Sequence, residues 1–187
     1  MLITFSKADL FFGINSHYSA FGDIFMYYIT WLGQAEIIIP FLFFLMVFRR
    51  FRNWQYFFTA LLCNIIPFFI QQGLKYWLNE PRPRALYRGM PGMHFRPEWP
   101  VLYTSSFPSG HTVGAFSFFC LLALMLDSKY RYVGFLFFVM ALSVAYSRIY
   151  LTAHFFNDVY FASIIGTITT MLIYVLMERT KSGFIRK

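Results

Sequence analysis

An all-α, polytopic transmembrane helical bundle is the fold class this sequence predicts, and three observations carry that prediction. Of 187 residues, 58% are hydrophobic and only 13% are charged, about half the charged share of a soluble domain. The apolar residues fall in runs close to the ~20 residues a helix needs to cross a hydrocarbon core. The 16 Lys and Arg, against 8 Asp and Glu, gather in short clusters between those runs. A sphere of this size cannot hide so much apolar surface from water, so the bilayer must cover it. That excludes a soluble globular enzyme, a disordered tail and a DNA-binding module, and the net charge of +8 reports topology rather than nucleic acid as a partner.

The elements follow in chain order. Residues 8–30 are aromatic but interrupted by Gly13, Asn15, Ser16, His17, Gly22 and Asp23, and they read as an N-terminal interfacial helix. Five spans come after it, over Trp31–Phe48, Trp54–Trp77, Ser109–Leu126, Tyr132–Ser147 and Phe155–Met177; the count is six if 8–30 also crosses. Pro67 lies mid-span in the second, where a kink is expected. No repeat or low-complexity stretch divides the chain, so residues 1–187 read as a single domain. The first residues show no basic start, clean apolar stretch and small-residue cleavage site, so no removable signal peptide is expected. Cys63 and Cys120 sit inside apolar runs and read as small buried hydrophobes.

Orientation follows from the cations. Arg49, Arg50 and Arg52, then Lys129 and Arg131, then Arg179, Lys181, Arg186 and Lys187 put nine cations on one side against Asp127 and Glu178. The other side has seven cations against six carboxylates. The basic turns therefore point to the cytoplasm, and the loop 78–107 lies outside. That loop holds five of the eight prolines, with Tyr87, Trp99 and Tyr103 as interface anchors; one so long, without a helix or strand pattern, is functional or disordered.

Ionisable residues at span ends are costly, and each needs a reason. Lys75 closes the second span and Arg82-Pro83 follows. Pro108-Ser109-Gly110-His111 opens the third. Ser147-Arg148 ends the fourth, and His154 opens the fifth with Asp158 one turn on. Lys75, Arg82 and Arg148 are three cations, two of them forks suited to phosphate oxygens. Pro108 suits a first helical turn, which leaves the N–H groups of Ser109, Gly110 and His111 to face an anion, with Gly110 permitting close approach. His154 and Asp158, four apart, share a helix face, so the carboxylate can hold one ring nitrogen's proton while the other faces substrate. Singly, each has a bland account: a snorkelling lysine, an N-cap, an interface histidine. Jointly they make a phosphoryl-transfer kit, with no ligand cluster for a metal.

Lys75-x6-Arg82-Pro83, Pro108-Ser109-Gly110-His111 and Ser147-Arg148-x5-His154-x3-Asp158 resemble the three-part signature of the type 2 phosphatidic acid phosphatase superfamily. The resemblance runs over about half the chain, with every motif position intact, and the short length is similar to the compact bacterial membrane branch. It implies His154 as nucleophile forming a phosphohistidine, Asp158 as its orienting carboxylate and His111 as general acid. Lys75, Arg82, Ser109, Gly110 and Arg148 would bind phosphate. It further implies a metal-independent, cofactor-free membrane lipid phosphatase at the outer face of a bacterial cytoplasmic membrane. The expected partner is a phosphorylated membrane lipid: phosphatidylglycerol phosphate, phosphatidic acid, undecaprenyl diphosphate or a lipid A phosphate. Arg84, Arg88 and Arg96 make a polyanionic headgroup somewhat more attractive. The alternatives are a lipid-to-lipid phosphotransferase at the same site and a non-catalytic membrane scaffold.

Overall fold

The structure, a computed structural model, describes residues 5–185. Its elements are α1 (Lys7–Asn15), α2 (Ala20–Ile29), a 3-10 turn (Thr30–Gly33), α3 (Ala35–Leu45), α4 (Trp54–Leu78), α5 (Pro83–Tyr87), α6 (Gly110–Leu124), a second 3-10 turn (Ser128–Tyr130), α7 (Arg131–Tyr150) and α8 (Phe156–Ile185). Side-chain caps start four of the helices. Ser6, with Asp9 in a capping box, opens α1; Ser19 opens α2, Asn53 opens α4 and Ser109 opens α6. Each supplies an acceptor to an N–H the helix itself cannot satisfy.

The bundle is built around α6. Val113, Ala115, Phe116, Phe118, Phe119 and Leu121 are buried on its several faces, and α4, α7 and α8 pack around it. Glycine lets backbones meet directly. A Cβ on Gly166 of α8 would stand 2.8 Å from the Val113 carbonyl, and one on Gly33 would stand 2.2 Å from the His111 carbonyl. Such close approach is how helices associate where lipid removes the hydrophobic drive between them. The outer faces stay apolar: Trp54 and Trp77, at opposite ends of α4, are 75% and 78% exposed, at the levels where indole rings favour the two membrane interfaces.

Among the described residues, three helices are long and apolar enough to cross a bilayer, or up to four if α2, the 3-10 turn and α3 form one broken span bent by 55°. With 15 residues, α6 rises only about 22 Å. The expected span Trp31–Phe48 is thus not one helix. It breaks at Gln34, which is extended (φ −96°, ψ 145°), and α3 ends at Leu45. Residues 8–30 likewise form two short helices, the second continuing into the broken span. Pro67 lies buried within a continuous α4.

Arg50 grips Asp127 with both Nη atoms at 3.0 Å, so the basic turns before α4 and before α7 meet at one end of the bundle. Arg186 and Lys187 of the basic tail, and residues 1–4, lie outside the described residues. At the opposite end the long loop is tied down rather than loose, and Pro83–Tyr87 within it is helical. His94 Nε2 lies 2.7 Å from Asp23 Oδ1, its ring stacks on Tyr18 at 3.8 Å, and its N–H donates to Asn15 Oδ1 at 2.8 Å. Tyr150 Oη donates to the same Asp23 carboxylate at 2.7 Å. Lys7 pairs with Glu80 at 3.3 Å and sits over the Phe155 ring.

Candidate active site

At the end of the bundle opposite Arg50, the turn between α7 and α8 sets the geometry. The carbonyl of Arg148 accepts from both Ala153 N–H (3.0 Å) and His154 N–H (3.1 Å), while Thr152 adopts a left-handed φ of 56°, a conformation costly for a β-branched residue. Asp158 is the third position of α8, and its Oδ2 accepts from Phe155 N–H at 2.9 Å, the acidic half of a capping box. The same oxygen accepts the Ser106 hydroxyl, and the Asp158 carbonyl accepts Ser109 N–H at 3.2 Å. One residue thus joins the start of α8, the start of α6 and the end of the long loop.

His154 is 1% exposed and lies in the turn ahead of α8 rather than on it. Its Nε2 is 3.3 Å from Arg82 Nη1, and its Nδ1 is 3.4 Å from Asp158 Oδ2. A guanidinium can only donate, so Nε2 carries the lone pair and Nδ1 the proton. That nitrogen has no hydrogen-bond partner of good geometry among the described residues; at 3.4 Å, with Oδ2 engaged twice already, the carboxylate stands at ion-pair distance rather than in a formed bond. Burial, followed by the charges of Arg82, Arg148 and Lys75, holds the imidazole well below its ordinary pKa, so the ring is neutral and its lone pair is available.

The cations divide into held and free. Arg82 is 5% exposed; its fork donates to the carbonyls of Thr104 (2.8 Å), Ala153 (2.9 Å) and Ser105 (3.1 Å). With Nη1 also reaching His154, one of its five N–H groups remains for a ligand. Arg148 donates from Nη1 to Thr30 Oγ1 at 2.7 Å, and its Nε is buried without a partner. Lys75, in the last turn of α4, makes no hydrogen bond or ion pair among the described residues. Lys75, Arg82, Arg148 and His154 all lie within electrostatic reach of His111.

The start of α6 modifies what its sequence suggests. Pro108 stands outside the helix and Ser109 is the N-cap. The Ser109 N–H is spent on Asp158, so only those of Gly110 and His111 face outward without an acceptor among the described residues. Ser109 Oγ accepts from Thr112 Oγ1 at 3.0 Å and keeps its own proton to give. A Cβ at Gly110 would meet the Gln71 amide at 3.5 Å, an ordinary contact. His111 Nε2 lies 3.0 Å from Gln34 Nε2, at the break of the bent span. Gln34, Thr30 and Ser106 thus support His111, Arg148 and Asp158, and none of the three stands in the signature. An apolar groove of about 590 Å³ runs between α3 and α4, past Leu42, Phe43, Phe57 and Ile65, to end on Lys75 and His111.

Residues 52–182 match the family model described as the PAP2 superfamily. Among solved structures, the Aquifex aeolicus LpxE crystal structure superposes with a TM-score of 0.77 at 27% identity, covering 93% of this chain and 98% of that one. A Bacillus subtilis structure, described as a transmembrane PAP2 type phosphatidylglycerolphosphate phosphatase, gives a TM-score of 0.75 at 22% identity, with 92% and 85% of the two chains covered. No curated protein sequence matches this chain.

Proposed function

The chain belongs to the PAP2 superfamily, and on that premise we propose that this membrane lipid phosphatase works through a phosphohistidine on His154, at the outer face of a bacterial cytoplasmic membrane. The observation that carries the reading is the His154 ring: neutral, its lone pair on Nε2, and flanked by Arg82 at 3.3 Å and Asp158 at 3.4 Å. As phosphorus approaches, Nε2 exchanges the Arg82 contact for the new N–P bond, and the P–O bond to the lipid breaks. The leaving oxygen takes a proton from His111. Positive charge on the His154 ring is offset by Asp158. Water then attacks phosphorus, giving its proton to His111 as the P–N bond opens.

Around the equatorial oxygens stand Lys75, the spare Nη2 proton of Arg82, Arg148, the Ser109 hydroxyl and the N–H groups of Gly110 and His111. Preorganised donors of this kind usually supply the largest part of a rate enhancement. Three cations, two imidazoles and one carboxylate suit an anion rather than a divalent metal, which supports metal independence. The groove ending on Lys75 and His111 suits lipid tails, so the headgroup would enter from the membrane side.

The test is phosphate release from a panel of lipid phosphates in liposomes. Release in the presence of EDTA, lost in His154→Ala, is the expected result. In His111→Ala we expect a drop of about 10²–10⁴-fold for monoesters and a smaller one for diphosphates, whose leaving group needs less protonation. Release only after an acceptor lipid is added would make the protein a phosphotransferase, and turnover retained in His154→Ala would overturn the mechanism.

A further inference from the structure

Adjoining the catalytic cluster, and sharing His111 and Arg148 with it, a second cavity of about 350 Å³ opens between the bent span, the end of α7 and the long loop. Arg84, Arg148, His111, Gln34, Trp31 and Trp99 are among its walls, and no Asp or Glu lines it among the described residues. Arg84 lies two residues beyond Arg82, at the second position of α5. Its guanidinium carbon lies over the Phe95 ring, 3.1 Å from the centroid, a contact that holds a cation without neutralising it. It makes no hydrogen bond or ion pair among the described residues, and the Nε atoms of both Arg84 and Arg148 are buried without a partner. Buried charged donors are ordinarily paired. With Arg148 committed to the transferred phosphate, the half-buried Arg84 is the cation in this concave space whose donors are suited to a second anion.

The location says which anion. His111 and Gln34 border both this cavity and the apolar groove, so the two spaces meet at the residue assigned to the leaving oxygen. Tails seated in the groove would leave the polar remainder of the leaving group to turn into the Arg84 cavity. We infer that Arg84 forms a second anion subsite, and that the preferred substrate carries a second phosphoryl group on the leaving-group side of the phosphate that is removed. This deepens, and rests on, the phosphatase reading above. Arg84 takes no part in bond making; it sets specificity.

The matched probes are phosphatidylglycerol phosphate and phosphatidic acid with identical acyl chains, which differ by a second phosphate and its glycerol. Wild-type protein should favour the first in kcat/KM by about tenfold or more, the scale of one charge-assisted hydrogen bond. Arg84→Gln should erase that preference, lowering kcat/KM about 10–100-fold for the two-phosphate lipid and less than about threefold for phosphatidic acid, and Arg84→Lys should restore part of it. No preference in wild type, or equal losses in Arg84→Gln, overturns the subsite; the wild-type comparison decides even if the variant fails to fold. Inorganic phosphate that stimulates phosphatidic acid turnover in wild type but not in Arg84→Gln would assign the cavity to a free ion and likewise overturn it. If wild type releases phosphate from neither lipid nor any other in the panel, the phosphatase reading itself fails and the subsite falls with it.

Discussion

His111 must act as an acid in one half of the proposed cycle and as a base in the other, and the Gln34 amide opposite its Nε2 at 3.0 Å suits both. An amide donates to a neutral ring and, turned over, accepts from a protonated one. With Nε2 held, Nδ1 is the nitrogen left to face the leaving oxygen. Gln34→Ala should therefore lower kcat about tenfold on a lipid monoester, the usual scale for removing an orienting partner, with KM little changed. The loss should shrink on a nitrophenyl ester, whose leaving group needs no proton; equal losses on both would make Gln34 merely structural. The signature residues were legible because a charge at a span tip demands an explanation. Gln34, Thr30 and Ser106 were not. They are small or uncharged, and their partners lie 77, 118 and 52 residues away, a separation no local pattern reports.

Among the elements, the bent span shows where apolar length misleads. A run of hydrophobic residues over 31–48 has the composition of one helix, yet the backbone breaks at Gly33-Gln34 because the 3-10 turn must rest against α6. A methyl at Gly33 would collide with the His111 carbonyl at 2.2 Å, whereas one at Gly13 of α1 meets nothing within 4 Å. Gly33→Ala should cost about 1–3 kcal/mol by overpacking and depress turnover by shifting His111. Gly13→Ala should leave activity intact and, as a better helix former, hold or raise stability by up to about 1 kcal/mol. Thermal melts in detergent, read beside activity, compare the two; equal effects would refute the contact. The long loop misled in the opposite direction. Its prolines concealed α5, and the ties from Asn15, Asp23 and Tyr150 that fasten His94 come from three separate elements.

For the molecule as a whole, the charge pattern and the fold agree on two unlike ends. One gathers Arg50 and Asp127 with the other basic turns; the other holds the proposed phosphate-binding cluster, where cations and carboxylates nearly balance. The cation bias predicts a cytoplasmic basic end. A reporter fused after Lys187 should be shielded in intact cells and reached only after permeabilisation; labelling from outside would invert the topology and put the chemistry on the cytoplasmic side. Fold class was readable because burial in lipid dictates composition along the entire chain. The number of crossings was not, since α6 needs no lipid-facing length when protein surrounds it.

The Arg148 carbonyl gives the arrangement a last property. By capturing the amides of Ala153 and His154, it couples the proposed phosphate clamp to the ring proposed as nucleophile, so that a displacement of one carries the other with it. The five intervening positions work as a fixed-length gauge: on the proposed mechanism, a single inserted residue there should swing the imidazole off its line of attack and abolish turnover.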